Sequence, residues 1–340
     1  DIQRVPLLKL TSLERVSNLD LEVKENSQTI EIKKDDTTWE LRSLEQKTIL
    51  DKLASNTIPL GQFVTDQIFY GLKTGFNEAF IVDNDTKEKI CKVEAKGVEV
   101  FKPLLIGKEI SPYLTKWEGL WVIVIPSGWT NKHRNGIDPE IFIQQTFPTI
   151  YEHLKSVQKR FTIGEAKTKK KGLYDRDDQG DYWWELRPCV YYKSFEYPKI
   201  VWGNLATHAS FAYDTKGYFV NNPGCFIPTN EKWLLSLLNS SVATFFLRNT
   251  AIERQGGFIE QKPVYVKQIP IPDVTDDLRN VLTEKVELLL TLNVEKQELQ
   301  KQALEVLKAE YKLPKVTQKL EKFLDLGWNE FLEELEKQKV

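Results

Sequence analysis

DYWWELRPCVYYKSFEYPKIVWGN, residues 181–204, is the most informative stretch of this chain. It surrounds three cations with aromatic side chains. The cations are Arg187, Lys193 and Lys199, and the aromatic residues are Trp183, Trp184, Tyr191, Tyr192, Phe195, Tyr197 and Trp202. Cations bind phosphates and flat aromatic faces stack on bases, so the pattern suits a nucleic acid. The alternative is a strand-rich core segment whose cations merely lie at the surface, since aromatic residues are first of all core residues.

The composition indicates one large domain or two ordinary ones, because the chain has 340 residues, 41% of them hydrophobic and 28% charged. A net charge of -2 argues against a basic surface all over, but it permits a local basic face. The apolar run LWVIVI at residues 120–125 is far too short to cross a bilayer, so no membrane is expected. The chain begins at Asp1 without a signal-like segment, which predicts a fragment or a processed product.

The cysteines and histidines are few and scattered. Three widely spaced cysteines, an odd number, predict reduced buried thiols and a cytoplasmic location; they are Cys91, Cys189 and Cys225. The histidines lie far apart in the sequence and indicate no zinc site; they are His133, His153 and His208.

Hydrophobic spacing predicts mixed secondary structure. Helices are expected over residues 44–56, over 138–160 with a new start at Pro148, and over 233–247 as one buried helix. A strand, a glycine turn and a second strand are expected over 68–83, and further strands over 120–125, 182–220 and 264–271. A short hairpin is expected near residues 23–41, with its turn at Lys34, Asp35 and Asp36.

The sequence pattern changes after Pro272. Thr275 can cap a helix, and apolar residues then recur near a 3.5-residue spacing as far as Val306. This predicts a long helix that breaks at Pro314, followed by a second helical stretch. A hairpin packed on its own domain is favoured over a dimeric coiled coil.

Four segments together carry a family resemblance. They are YGLKTGFNEAFIVD at 70–83, LWVIVIPSGWT at 120–130, YWWELRPCVYY at 182–192 and RQGGFIEQKPVYVKQIPIP at 254–272. In this order, over roughly residues 39–340, they resemble the TaqI-like C-terminal specificity domain. That domain is the target-recognition part of type IIG restriction-modification enzymes and related adenine-specific DNA methyltransferases. The pair Trp183–Trp184 is an extra aromatic residue relative to the family pattern.

The resemblance implies an α+β, mixed-sheet target-recognition domain followed by a C-terminal helical arm. Residues 1–43 would connect to an upstream methyltransferase domain, 44–272 would recognise double-stranded DNA, and 273–340 would be a helical spacer or docking region. The chain would direct adenine methylation, and cleavage where the parent enzyme cleaves, by methyltransferase and nuclease domains outside these residues.

No catalytic motif is evident in the sequence. The short Asn/Asp-Pro-Pro-aromatic motif of amino-methylating enzymes is missing, and Asn222-Pro223-Gly224-Cys225 lacks its second proline and its aromatic residue. We therefore expect no catalysis and no cofactor on this chain. The parent enzyme would use S-adenosylmethionine, with Mg²⁺ for cleavage.

The remaining expectation is DNA binding, with a set of candidate contact residues. The phosphate-binding candidates are Lys73, Thr74, Lys132, Arg134, Lys169, Lys170, Lys171 and Lys193. Arg187 and Arg254 could read guanine or clamp the backbone, and Asn77 could read adenine. The aromatic candidates are Trp183, Trp184, Tyr191 and Tyr192. Successive strand residues face opposite ways, so one tryptophan of the pair is expected to be exposed or at an interface.

Two other functions stay open at this point. The first is a protein-interaction module that assembles subunits through the C-terminal helices. The second is a carbohydrate-binding enzyme domain that uses the aromatic cluster. Duplex binding that weakens steeply with salt would distinguish DNA recognition from both.

Overall fold

The computed structural model of the protein describes residues 2–8, 16, 18–33, 42–161, 172–313 and 315–337. Its strands, in chain order, are β1 (Ile2–Leu7), β2 (Gln28–Lys33), β3 (Thr57–Pro59), β4 (Phe69–Tyr70), β5 (Ile81–Val82), β6 (Phe101–Leu105), β7 (Ile110–Ser111), β8 (Leu114–Thr115), β9 (Trp121–Ile123), β10 (Lys199–Trp202), β11 (Leu205–Ala206), β12 (Phe211–Asp214), β13 (Phe219–Val220), β14 (Cys225–Pro228), β15 (Glu253–Arg254), β16 (Phe258–Glu260) and β17 (Pro270–Pro272).

The helices are α1 (Leu19–Asn26), α2 (Leu44–Ala54), α3 (Leu60–Phe63), α4 (Asn77–Phe80), α5 (Asn84–Val93), α6 (Trp129–His133), α7 (Pro139–Thr146), α8 (Pro148–Phe161), α9 (Leu234–Leu238), α10 (Ser241–Thr250), α11 (Pro263–Val266), α12 (Asp276–Glu310), α13 (Gln318–Glu321) and α14 (Trp328–Glu336). Short 3-10 helices cover Ala95–Val100, Gly107–Glu109, Tyr192–Glu196 and Phe323–Asp325. Among the described helices, none is both long and apolar enough for a membrane span.

Two four-stranded sheets organise the centre of the molecule. One has the order β12-β10-β14-β4 and is antiparallel. The other has the order β13-β6-β9-β5, in which β13 runs parallel to β6 and the remaining pairs are antiparallel. Smaller sheets pair β1 with β2, β17 with β3 and β7 with β8, and join β11, β16 and β15. The predicted α+β fold with a mixed sheet is confirmed.

Strand β10 is buried on both faces and separates two core clusters. Ile200 and Trp202 point into a cluster that includes α9, α10 and Val286 of α12. Val201, between them, points into the other cluster, which is built on β6, β9 and α8. The opposite directions follow from the pleat of a strand. Burial on both faces explains why this strand carries an apolar run rather than an alternating pattern.

Lys199, at the start of β10, belongs to the core. It is fully buried, and its Nζ donates to Asp214 Oδ2 at 2.5 Å and to the Phe195 carbonyl at 2.5 Å. Burial lowers the pKa of Lys199, and the Asp214 carboxylate opposes that shift. One of the three cations in the stretch 181–204 is therefore a structural ion pair rather than a surface charge.

Several predicted helices are present because their starting signals are local. Before α2, Ser43 accepts a hydrogen bond from the Gln46 N–H, and the Gln46 side chain accepts one from the Ser43 N–H. This capping box satisfies two N–H groups at the start of the helix. Thr275 caps α12, which then runs for 35 residues. The predicted restart at Pro148 is also confirmed, since α7 and α8 meet there.

The sequence prediction is wrong for three elements. Residues 182–198 form turns and a 3-10 helix, and strand structure begins only at Lys199. The single helix predicted over 233–247 is divided into α9 and α10. The strand predicted over 264–271 consists of α11 followed by the short strand β17.

At the N-terminus, β2 pairs with β1, which precedes it in the chain. The turn predicted at Lys34, Asp35 and Asp36 lies outside the described residues.

The first half of α12 packs against the central domain. Val286 is fully buried in the same cluster as Trp202, and the half-buried Leu282 and Leu290 lie beside it. Lys232 and Glu287 form an ion pair of 2.6 Å between the two regions. Further along, Leu313, Leu320 and Leu335 form a small cluster of their own. The C-terminal arm is thus a helix packed on its own domain at one end and closed by a small helical cluster at the other.

Candidate nucleic-acid interface

Two glycines shape the turn that follows β4. A Cβ on Gly71 would lie 2.5 Å from the Val220 carbonyl oxygen, so only glycine fits that close approach. Gly75 has φ of +71°, in the left-handed region, and a Cβ there would lie 2.8 Å from the Asp178 Cβ. The turn therefore lies directly against the residues around Asp178.

Inside this turn, polar side chains bond to each other. The Thr74 hydroxyl donates to Asn77 Oδ1 at 2.6 Å and accepts from the Phe76 N–H at 3.2 Å. Thr74 is buried, whereas Lys73 and Asn77 are exposed. The Thr74 hydroxyl is thus used to hold the turn, and the residues that the turn presents outward are Lys73 and Asn77.

Arg176 fastens the turn to the loop at residues 173–187. Its guanidinium is buried and packs over the Phe80 ring, with Cζ 4.6 Å from the ring centroid. It donates to five backbone carbonyls, those of Thr74, Leu173, Asp178, Trp183 and Glu185. Burial lowers the pKa of Arg176 to about 10. The geometry makes the turn and the loop one rigid unit.

Two exposed cations share the carboxylate of Asp178, which lies two residues after Arg176. Lys73 Nζ lies 2.8 Å from Asp178 Oδ2, and Arg187 Nη1 lies 3.2 Å from Asp178 Oδ1. The side chains of Lys73 and Arg187 are 53% and 48% exposed, while that of Asp178 is 18% exposed. We call these three residues the Asp178 cluster. Ion pairs this exposed add only about 0–1 kcal/mol of stability, so their main consequence is position: two cations are held side by side at the surface.

Glu185 joins the same loop to the segment at residues 126–134. Its fully buried carboxylate accepts from the N–H groups of Gly128, Thr130 and Asp181, at 3.1, 2.8 and 2.9 Å. Trp184 Nε1 adds a bond to Thr130 Oγ1 at 2.9 Å. The buried carboxylate thereby fixes the start of α6.

Helix α6 carries the next pair of predicted cations. Lys132 is exposed on it. Arg134, at its end, donates to Asn131 Oδ1 at 3.0 Å and to the Ile137 carbonyl at 2.9 Å. Lys132 is therefore presented outward, whereas part of the Arg134 guanidinium is occupied by the protein itself.

The two predicted tryptophans lie in a turn rather than in a strand, so strand alternation does not govern them. Trp184 is buried and stacks on Tyr182, with ring centroids 4.9 Å apart. Trp183 is half-buried and lies edge-on to Tyr174 at 4.7 Å. Trp184 thus supports the loop from inside, and Trp183 is only partly accessible.

Tyr191 and Tyr192 also anchor the loop. Tyr191 stacks on Phe69 with the centroids 4.4 Å apart, and burial raises its pKa to about 12. The Tyr192 hydroxyl donates to the Arg187 carbonyl at 3.0 Å, and burial raises the pKa of Tyr192 as well. Both rings are half-buried, so they shape the backbone around Arg187 more than they offer free faces.

The remaining candidates are dispersed. Lys193 is exposed on the 3-10 helix Tyr192–Glu196. Arg254 belongs to the sheet β11-β16-β15, where its Nε donates to Glu260 Oε1 at 2.7 Å, and the Lys262 Nζ lies 2.7 Å from Glu260 Oε2. The sheet of Arg254 packs on the other core cluster, through Ile259. Lys169, Lys170 and Lys171 lie outside the described residues.

Sequence reasoning missed the residues that build the site. Arg176, Asp178 and Glu185 lie in an acidic, polar loop, where each looks like a solvated surface charge. Four of the carbonyls that Arg176 binds lie within nine residues of it, but in an irregular loop that no periodic pattern indicates. The Thr74 carbonyl and the N–H groups of Gly128 and Thr130 come from distant segments, for which local sequence gives no signal. The strand assignment for 182–198 further concealed the role of Glu185.

The described residues contain no cluster of metal ligands. Within the described ranges, no group of three or more histidine, cysteine or acidic side chains could hold a metal ion. The stretch Asn222–Cys225 forms the turn into β14, and a Cβ on Gly224 would lie 2.6 Å from Val220 Cγ1.

The chain belongs to the TaqI-like C-terminal specificity domain family, which matches residues 102–271, half of the chain. The family resemblance predicted from the sequence is confirmed. Residues 275–340 match a second family, described as a domain of unknown function (DUF8810). No curated protein matches the chain.

Two solved structures are similar to this chain. The type IIL restriction-modification enzyme MmeI, solved in complex with DNA, has 16% identity and a TM-score of 0.45 over 83% of this chain and 32% of that chain. The type IIG restriction endonuclease BpuSI has 14% identity and a TM-score of 0.44 over 99% of this chain and 39% of that chain. The present chain thus spans about a third of the length of these two enzymes.

Proposed function

We propose that this chain recognises a specific sequence of double-stranded DNA, as the target-recognition module of a restriction-modification or related phage-defence enzyme. The family membership supports a specificity role. The observation that carries the proposal is the Asp178 cluster, in which Lys73 and Arg187 are exposed, adjacent and fixed by a shared carboxylate.

The chemistry of the cluster suits a groove of DNA. An arginine fork can donate two parallel hydrogen bonds to the O6 and N7 atoms of guanine, and a lysine binds phosphate as a point charge. Asn77, on the same turn as Lys73, can pair with adenine through its amide. We assign base reading to Arg187 and Asn77 and phosphate binding to Lys73, Lys132, Lys193 and the lysines at 169–171.

Thr74 and Trp184 contribute from the interior in this proposal. Their hydrogen bonds hold the turn and α6, so the contacts they make are with the protein. We assign Arg254 to a DNA-backbone contact at a second place on the surface, because its sheet packs on the other core cluster through Ile259.

Adenine methylation, and cleavage where it occurs, are assigned to methyltransferase and nuclease domains outside this chain. Those domains would hold S-adenosylmethionine and Mg²⁺. In this proposal residues 1–43 lead to the catalytic part, 44–272 bind DNA, and 273–340 form a spacer or docking arm.

Selection from random duplexes tests the proposal. The chain, alone and joined to its upstream part, should enrich one short sequence. Binding to that sequence should weaken steeply with salt, with log K falling by about 0.9 per phosphate contact for each decade of salt. Enrichment of no sequence, or affinity that does not respond to salt, would reject DNA recognition.

A second candidate function rests on the exposed apolar residues of α12. Leu292, Leu299 and Val306 recur every seven residues and are 47%, 64% and 60% exposed. That spacing fits a helix–helix contact with another protein or domain. Analytical ultracentrifugation of Leu299→Glu beside the wild type decides the point: an assembly module should dissociate, and a recognition module should keep its mass and its DNA affinity.

A further inference from the structure

Val190 is the most exposed large hydrophobic side chain among the described residues. Its relative exposure is 102%, and the next value is 79%, at Val93. A single exposed apolar side chain is common and means little alone. Val190 differs because the loop that carries it is held firmly on both sides.

The backbone around Val190 is anchored by its neighbours. Tyr191, directly after it, stacks on Phe69 at 13° between the ring planes. Cys189, directly before it, is half-buried, and burial raises the pKa of its thiol. The hydrogen bond from the Tyr192 hydroxyl to the Arg187 carbonyl closes the loop over these residues. Pro188 also restricts the backbone.

The side chain that this loop presents is suited to contact. Valine is branched at Cβ and has few rotamers, so little side-chain entropy is lost when it is covered. The Val190 side chain adds nothing to the core, since it is fully exposed and belongs to neither core cluster.

The segment that carries Val190 has a cation on each side in the sequence. Arg187 and Lys193 lie three residues before and three residues after Val190, and both are exposed. An exposed apolar side chain on a segment with two exposed cations suits a surface that offers a methyl group near acceptor atoms and phosphates. The major groove offers this arrangement at thymine, whose C5-methyl group lies beside the hydrogen-bonding edges of the bases.

We propose that Val190 reads thymine through van der Waals contact with its C5-methyl group, beside the base that Arg187 contacts. This inference rests on the proposed function, because it requires a duplex seated on the Asp178 cluster. It adds a specificity-determining residue with no hydrogen-bonding group of its own.

The test uses uracil, which differs from thymine only by the absence of that methyl group. Each thymine of the selected duplex is replaced in turn by uracil, and dissociation constants are measured for the wild type, Val190→Ala and Val93→Ala. One replacement should weaken wild-type binding about fourfold, the effect of burying one methyl-sized group. Val190→Ala should bind the thymine duplex with that loss already present and should not respond to uracil. Val93→Ala, the same change at another highly exposed valine, should behave as the wild type.

Three results would overturn the inference while leaving DNA recognition intact. One is a selected sequence without thymine. Another is a uracil penalty of equal size in the wild type and Val190→Ala. The third is an equal loss by Val190→Ala on every duplex with no uracil effect, which would indicate a wedge between base pairs instead. A wild type that prefers no sequence would overturn the proposed function and this inference together.

Discussion

At the scale of the residue, two arginines of one loop have opposite environments. Arg176 is buried and donates to five carbonyls, whereas the Arg187 side chain is about half exposed and pairs with Asp178. The guanidinium group is always charged and carries five donors, so it can serve either as a clamp for backbone or as a probe for bases. The surroundings, rather than the residue type, decide which role each arginine has.

Arg176→Met should destabilise the fold strongly. Five carbonyls would each lose one donor, although the Glu185 carbonyl keeps the Gly180 N–H at 3.2 Å. A buried acceptor left without a partner costs about 1–3 kcal/mol. Even with partial relaxation, we expect a loss of about 3 kcal/mol or more in the free energy of unfolding. Denaturant unfolding measures this, with Arg187→Met as the matched control. The control should lose less than about 1 kcal/mol, because its ion pair is exposed. Equal losses for the two variants would contradict the clamp.

Asp178→Asn should separate affinity from specificity. Removing the carboxylate raises the net charge by one and frees Lys73 and Arg187 from their shared partner. Binding to random duplexes should therefore tighten, and the preference for the selected sequence should fall, since Arg187 is no longer held in place. Competition binding measures both quantities.

The control is Asp175→Asn, which makes the same charge change at an exposed residue of the same loop. It should tighten both kinds of binding alike and keep the preference. An identical outcome for the two variants would mean that Asp178 acts only through its charge.

At the scale of the element, the sequence predicted best what depends on neighbouring residues. The caps at Ser43 and Thr275 and the proline at 148 are local signals, and α2, α8 and α12 begin where they indicate. The division of α9 from α10 has a local cause, since Ser240 caps α10 by accepting from the Ala243 N–H at 3.0 Å, and also a distant one. Asn239, between them, accepts from the Phe211 N–H at 2.8 Å and donates to the Phe211 carbonyl at 2.9 Å. No pattern within 233–247 could indicate that partner.

The site follows the same rule. Exposed Lys73, Lys132 and Arg187 could be predicted, because cations next to glycines and aromatic residues are visible in the sequence. The buried bonds of Arg176 and Glu185 could not. The bonds to Thr74 and Thr130 join segments about 50 to 100 residues apart, and the nearer partners lie in a loop without regular structure. Aromatic residues favoured strands at 182–198, but their burial there is achieved through turns.

Only the first half of helix α12 should contribute to the stability of the central domain. Val286→Ala removes two methyl groups from a fully buried position, and we expect a loss of about 1–3 kcal/mol in the free energy of unfolding. Leu299→Ala removes more atoms, but from an exposed position. Apart from any change in helix propensity, it should lower the free energy of unfolding by less than about 0.5 kcal/mol. Urea unfolding of both variants tests this, and a larger loss for Leu299→Ala would place a hidden contact on the distal half.

The central sheet should make the protein sensitive to alkali. Burial raises the pKa of Tyr213 on β12 and of Cys225 on β14 to about 12 each. In the unfolded chain these groups titrate near 10 and 8.5, so the folded state holds its protons more tightly. The stabilisation that comes from these two groups is complete below their pKa values in the unfolded chain. It is lost as the pH rises towards about 12.

Tyr213→Phe should therefore show a shallower alkaline decline of the urea midpoint. At neutral pH it should lose about 1 kcal/mol, because the hydroxyl donates to the Thr229 carbonyl at 2.9 Å. Tyr197→Phe, at a side chain that is 60% exposed, should decline as steeply as the wild type. A decline in Tyr213→Phe that matches the wild type would show that this hydroxyl does not titrate on unfolding.

At the scale of the whole molecule, the charge distribution does not favour general binding of polyanions. The net charge is -2, and α12 to α14 carry many of the acids. Any attraction to DNA must then come from a local set of cations facing a duplex, with the acidic arm directed elsewhere. Binding should depend on a few residues, and each should be detectable singly.

The salt dependence of DNA binding measures the contribution of each cation directly. In a plot of log K against log salt, Lys73→Ala and Lys132→Ala should each reduce the slope by about 0.9, the value for one phosphate contact. Lys170→Ala should weaken all duplexes alike, whereas Arg187→Ala should relax the sequence preference, because a lost base contact costs about 1–3 kcal/mol of discrimination only at its own position. Lys308→Ala, on the exposed distal part of α12, should change neither the slope nor the preference. If Lys308→Ala reduced the slope as much as Lys132→Ala, DNA would be bound along the arm, and the recognition surface would have to be moved from the Asp178 cluster to the C-terminal helix.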